Sequence, residues 1–158
     1  MSIDLDITTS KPLKISSMKA GIKKTLNEVC EGVKIPDLEI LKFEQNKYYE
    51  PNNFLNEDSG PHIVKTKEYE ACVMINMAKI EDNYIFTVSP CFTRSNMEYV
   101  ISAATAIYVA SLENSNIEDG FSFWTGFQEI SHFQFSTRIK TKNKKSFQEA
   151  CDSIMCKI

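Results

Sequence analysis

The sequence predicts an α+β domain in which a largely antiparallel sheet of about five or six strands carries about three helices, packed mainly on one face. Three observations lead there. The 158 residues match the commonest domain size, so one domain spanning 1–158 is expected. Hydrophobic residues make up 42% and charged residues 25%, the balance of a chain that folds rather than stays disordered. Two-residue and three-to-four-residue hydrophobic periods then follow one another in the order βαβ, long loop, ββαββα, without the strict strand-helix alternation of a doubly wound parallel sheet.

Ile3, Leu5 and Ile7 alternate with Asp4, Asp6 and Thr8, which predicts a half-exposed opening strand. Ser16 or Ser17 can cap a helix with the stripe Met18, Ile22, Leu26, Val29 and Val33, stopping before Pro36. Leu38, Ile40, Leu41 and Phe43 predict a second strand. From Gln45 to about Thr66 the sequence is rich in Asn, Pro and acid, and it reads as a long loop. Loops of that length in compact domains are usually functional or disordered.

Tyr69, Ala71, Val73, Ile75 and Met77 alternate with their neighbours, and Glu81-Asp82-Asn83 provides a turn before Tyr84-Ile85-Phe86-Thr87-Val88. A hairpin is expected there, closed by Pro90. Ser95-Asn96-Met97-Glu98 is a capping box that opens the clearest helix, whose stripe runs through Met97, Val100, Ile101, Ala104, Ile107, Tyr108 and Leu112. Asn114-Ser115-Asn116 ends it. Phe121 to Phe127 and Ile130 to Ile139 read as a second hairpin. A second capping box, Ser146-Phe147-Gln148-Glu149, starts a last helix with Phe147, Ala150, Cys151, Ile154 and Met155 inward.

Chemistry is sparse. The chain has two histidines and five cysteines without a CxxC pair, and it lacks GxxxxGK[ST] and GxGxxG. No cofactor or metal is therefore expected, and the odd number of cysteines reads as reduced, small hydrophobic side chains. No apolar run approaches a membrane span, and the opening residues have neither the basic flank nor the apolar core of a secretion signal. A cytoplasmic location is expected.

His62 falls in the polar loop and reads as solvated. His132 falls on the polar face of its expected strand, with Gln134, Ser136 and Arg138. Cys91, just ahead of the capped helix, is the candidate nucleophile should the protein be a small enzyme, with His132 as the other catalytic candidate.

The formal charge is -3, but Arg138, Lys140, Lys142, Lys144 and Lys145 crowd into 138–145, so the rest of the chain is strongly acidic. The basic strip reads as an edge strand protected from sheet-to-sheet pairing. An acidic body suits a basic protein better than nucleic acid. If Phe121, Phe123 and Phe127 face the core, Trp124 is turned toward the surface. With Tyr48, Tyr49 and Phe54 of the long loop it makes the aromatic candidates for partner binding, beside Glu50, Glu57, Asp58, Glu113, Glu118, Asp119 and His132.

Two resemblances point the same way. The helix Tyr99 to Ile107, followed by Ile117-Glu118-Asp119-Gly120 and an aromatic segment ending in Trp124, resembles small immunity proteins of bacterial polymorphic and contact-dependent toxin systems; the Lys-, Asn- and Ile-rich composition is similar too. The resemblance covers about a fifth of the chain. It implies a non-catalytic protein that binds and neutralises a cognate toxin, often a basic nuclease. The order of elements from Ser17 onward is also similar to type III secretion chaperones, which implies a dimeric scaffold for an effector; the first strand and the loop after Phe43 depart from that pattern.

Overall fold

The computed structural model describes residues 3–56, 59–91, 93–120, 122–124, 126 and 128–158. The opening alternation forms strand β1 (Leu5–Thr9), with Leu5, Ile7 and Thr9 buried and Asp6 and Thr8 turned the other way. A short strand β2 (Leu13–Lys14) leads into helix α1 (Ile15–Val29). The helix starts ahead of the two serines expected to cap it. Its first N–H donates to the Asn53 carbonyl at 2.9 Å, so backbone from a distant segment replaces a side-chain cap. It also ends earlier than its apolar stripe, at Val29. Cys30, at φ -112° and ψ 61°, leaves the helical range and ends the helix; Cys30–Glu31 forms strand β3, and Gly32 takes a left-handed φ of +87° in the turn after it.

Strand β4 (Leu38–Glu44) appears where expected. The long loop after it does not. Gln45 and Asn46 both adopt positive φ, 51° and 57°, and make a two-residue hairpin turn into β5 (Lys47–Tyr49). Next come β6 (Phe54–Leu55), which pairs with β2, and β7 (His62–Thr66), an interior strand of the main sheet. The Asn- and Pro-rich composition of 45–66 marks its turns and conceals its strands.

His62 is correspondingly a core residue, fully buried. Its Nε2 accepts from the Asn52 N–H and its Nδ1 meets the Gly60 carbonyl, both at 3.2 Å, so the neutral ring ties 52–60 to β7. Burial, more than the nearby Lys42 ammonium, holds its pKa below the ordinary 6.5, although the Gly60 carbonyl pulls the other way. A depressed value means that the unfolded chain takes the proton first. Stability is expected to fall as pH drops from about 6.5 toward 5. Urea titrations across that range should show a smaller fall for His62→Gln than for the natural chain.

Strands β8 (Cys72–Ile80) and β9 (Asn83–Pro90) make the expected hairpin, although Tyr69 lies in the turn before it, against Phe147. Helix α2 (Asn96–Ser111) is capped by Ser95, whose hydroxyl accepts from the Glu98 N–H. Almost every one of its side chains is buried, because it forms the hub of the helical layer. Its contacts reach strands β1, β8 and β9 on one side and α1 on the other. The approach to α1 is close: a Cβ on Gly21 would lie 2.0 Å from the Tyr108 ring.

Strands β10 (Asn116–Glu118) and β11 (Glu129–Ser131) follow. The strand expected over Ile130–Ile139 is instead helix α3 (His132–Ile139). Ser131 caps it by accepting from the Gln134 N–H, and Phe135 and Ile139, four apart, face the core while Phe133 is 71% exposed. The expected aromatic strand over 121–127 is also absent at its described residues, where Ser122–Trp124 form a turn; Phe121, Thr125 and Phe127 lie outside the described residues.

Strand β12 (Thr141–Lys142) pairs parallel with β3, and Lys140 and Lys142 reach Glu31 at 2.8 and 3.9 Å. Helix α4 (Phe147–Met155) follows, capped by the Ser146 hydroxyl, which accepts from the Glu149 N–H, while the Glu149 carboxylate accepts from the Lys145 N–H.

The described residues thus comprise four helices and an eight-stranded antiparallel sheet in the order β11-β10-β1-β9-β8-β7-β4-β5, with two small two-stranded sheets. Helices α1, α3 and α4 all pack on α2, and α2 packs on the sheet, so the helical layer covers one face and the other carries none. The class and the one-sided layering agree with the sequence reading, while the strand and helix counts exceed it.

Candidate partner-binding surface

The β4–β5 hairpin sets the free edge of the large sheet. Successive residues of a strand point to opposite faces, so Tyr48 lies on the helix-free side and Tyr49 on the helical side. They are 43% and 45% exposed. The Tyr48 ring lies 5.6 Å from that of Phe43, its cross-strand partner, and the Lys65 ammonium sits 5.1 Å from the Tyr48 ring centre. Phe54, in β6, is 44% exposed.

Between the first turn of α1, strand β4 and the 50–54 segment opens a cleft of about 660 Å³. Ile15, Leu38 and Ile40 line it together with Glu50, Pro51 and Phe54, and Lys14, Lys19 and Lys67 stand among its charged residues. Hydrogen bonding by His62 to Asn52 and Gly60, and the Asn53 carbonyl on the start of α1, hold the 50–54 wall in place. Tyr48 and Tyr49 stand at the sheet edge on opposite faces, and Glu50 and Phe54 stand on the wall of the cleft. Glu57 and Asp58 lie outside the described residues.

The second group expected from sequence lies elsewhere and has other occupations. Six strand-to-strand steps separate β10 from β5, or roughly 29 Å at the usual spacing. Glu113 accepts from the Ser10 N–H at 2.9 and 3.2 Å and from its hydroxyl, which ties the end of α2 to the end of β1. Asp119 is buried and accepts from the Phe123 and Trp124 N–H groups at 3.2 and 2.7 Å, so it shapes a turn.

Trp124 is 2% exposed, packed among Tyr99, Phe123 and Phe135; the expectation that it turns to the surface fails because the segment is a turn rather than a strand. His132 is half-buried at the start of α3, its Nε2 3.0 Å from the Asn114 side-chain oxygen. Glu118 is exposed on β10.

The catalytic candidates separate in the same way. Cys91 lies across from Cys72, its N–H donating to the Cys72 carbonyl at 2.9 Å. The neighbouring thiol and then burial push its pKa well up, the reverse of what a nucleophile needs. Cys151 is pushed up by Cys30 and by burial in the same manner. Among the described residues no three His, Cys, Asp or Glu side chains gather as a metal site, and no helix is long and apolar enough to cross a membrane.

One carboxylate that the sequence marked only as a capping group turns out to organise the start of α2. Glu98 is fully buried and accepts from the backbone N–H groups of Arg94 at 2.8 Å, Cys72 at 3.2 Å and Thr93 at 3.4 Å.

These features define an α+β domain with one layer of helices, one open sheet face and an aromatic sheet edge. Comparison of the chain with protein-family models, curated proteins and solved structures finds no match.

Proposed function

We propose that the protein is a non-catalytic protein-binding module, an immunity protein that binds and neutralises a cognate toxin in the cytoplasm. The observation that carries this reading is the concentration of Tyr48, Tyr49 and Phe54, all exposed, at a free sheet edge beside an open cleft. Aromatic side chains that are already ordered but not buried are the usual anchors of protein interfaces, because they bring large apolar area at small entropic cost.

Affinity capture of the tagged protein from its host, followed by size exclusion, should yield one stoichiometric partner with toxin activity that the protein suppresses. Tyr49→Ala and Phe54→Ala are each expected to weaken that complex about 30-fold, measured by calorimetry. Unchanged affinity in both would remove the edge as the contact site, and an active toxin in the saturated complex would remove the immunity reading.

A further inference from the structure

We infer that the helix-free face of the sheet docks a protein segment in which lysine or arginine accompanies aliphatic side chains. The inference rests on the protein-binding reading and gives it a second surface and a partner chemistry.

The face has two halves. On one, Leu41, Ile63 and Met74 stand in a single transverse row across β4, β7 and β8, and Phe43 and Tyr48 continue the patch to the sheet edge. Leu41, Phe43 and Met74 are half-buried and Tyr48 is exposed, whereas Ile63, between Leu41 and Met74, is fully buried. The open face of a one-sided antiparallel sheet is ordinarily polar. This half is not.

On the other half, Asp6, Glu118 and Glu129 lie directly opposite one another across β1, β10 and β11. Like charges in cross-strand register destabilise a sheet. No ion pair between described residues involves any of the three. The partners they do have are neutral: Asp6 accepts from the Thr87 hydroxyl and Glu129 from the Asn116 amide, both at 2.6 Å.

A row of carboxylates with no ion pair among the described residues is relieved by a cation from outside. Between the halves, β9 presents Asn83, Ile85, Thr87 and Ser89, so uncharged residues separate the acidic row from the apolar one. Within the chain's own basic strip, Lys140 and Lys142 are engaged by Glu31, and Arg138 lines a recess with Glu129 at the end of the row. The complement is therefore a partner segment with cationic residues at one end and aliphatic residues toward the other.

The test titrates the isotopically labelled protein with two synthetic peptides of equal length, one alternating Leu with Lys and the other Leu with Glu, and follows backbone amide shifts. The Leu-Lys peptide should move the amides of Asp6, Ile63, Met74 and Glu118, and its affinity should fall at least tenfold in Glu118→Gln/Glu129→Gln and in Met74→Asn. The Leu-Glu peptide should move none of them. Without peptide, the double carboxylate variant should melt higher than the natural chain.

Equal binding of both peptides, shifts confined to other surfaces, no binding of the Leu-Lys peptide, or a lower melting temperature for the double variant would each overturn the inference. So would a homodimer through this face that the peptide does not dissociate. These measurements use only this chain and two peptides, so their failure leaves the capture experiment on Tyr49 and Phe54 standing on its own.

Discussion

Glu98→Ala is expected to lower the unfolding free energy by about 3 kcal/mol or more, read as a shift of the urea midpoint at unchanged slope. The carboxylate is completely buried, and alanine would leave the N–H groups of Arg94, Cys72 and Thr93 facing a void. Each buried donor left without an acceptor costs about 1–3 kcal/mol. Ser95→Ala, which removes only the hydroxyl that accepts from the Glu98 N–H, should cost about 1 kcal/mol. Equal losses in the two variants would show that Glu98 does no more than cap a helix. A markedly larger loss at Glu98 would establish it as the joint between α2, the start of β8 and the 93–95 turn.

Trp124→Ala is expected to cost about 3–5 kcal/mol, because the cavity would open inside a cluster whose ring centres lie 6.0 Å (Tyr99), 5.6 Å (Phe123) and 5.7 Å (Phe135) away. Trp124→Phe should cost much less. The indole N–H finds no acceptor among the described residues, so phenylalanine forfeits volume but no hydrogen bond. Calorimetric melting of the two variants measures both effects. A loss below about 1 kcal/mol for the alanine variant would mean that the ring is not the packing centre described above.

What could be read without coordinates had a local cause. Ser95 and Ser146 start helices because each hydroxyl accepts from the backbone N–H three residues on, whatever the rest of the chain does. Ser131-His132-Phe133-Gln134 carries a related signal, Ser followed three residues later by Gln, in a segment whose alternation reads as a strand. Phe135 and Ile139, four apart, were the deciding pair. Strand β7 was hidden for a different reason. His62 and Lys65 made it look polar, and only its place between β4 and β8 buries the imidazole and supplies its partners.

The candidate surfaces divide in the same way. Tyr48, Tyr49, Glu50 and Phe54 are close in sequence, so one hairpin and one short strand gather them, and their grouping could be read directly. Asp6, Glu118 and Glu129 come from three strands, and Leu41, Ile63 and Met74 from three more. A hint was present, since Cys72 and Met74 occupied what alternation marked as the solvent side of β8.

The sequence by itself determined the α+β class, the one-sided helical layer, the start of β1, the β8–β9 hairpin and helices α2 and α4, because short-range periodicity and capping decide those features. Only the tertiary structure decided that 45–66 holds three strands, that 132–139 is a helix, that Trp124, His62 and Glu98 are buried, and which acids share a row. Burial and cross-strand register depend on residues far apart in the chain, and no local pattern contains them.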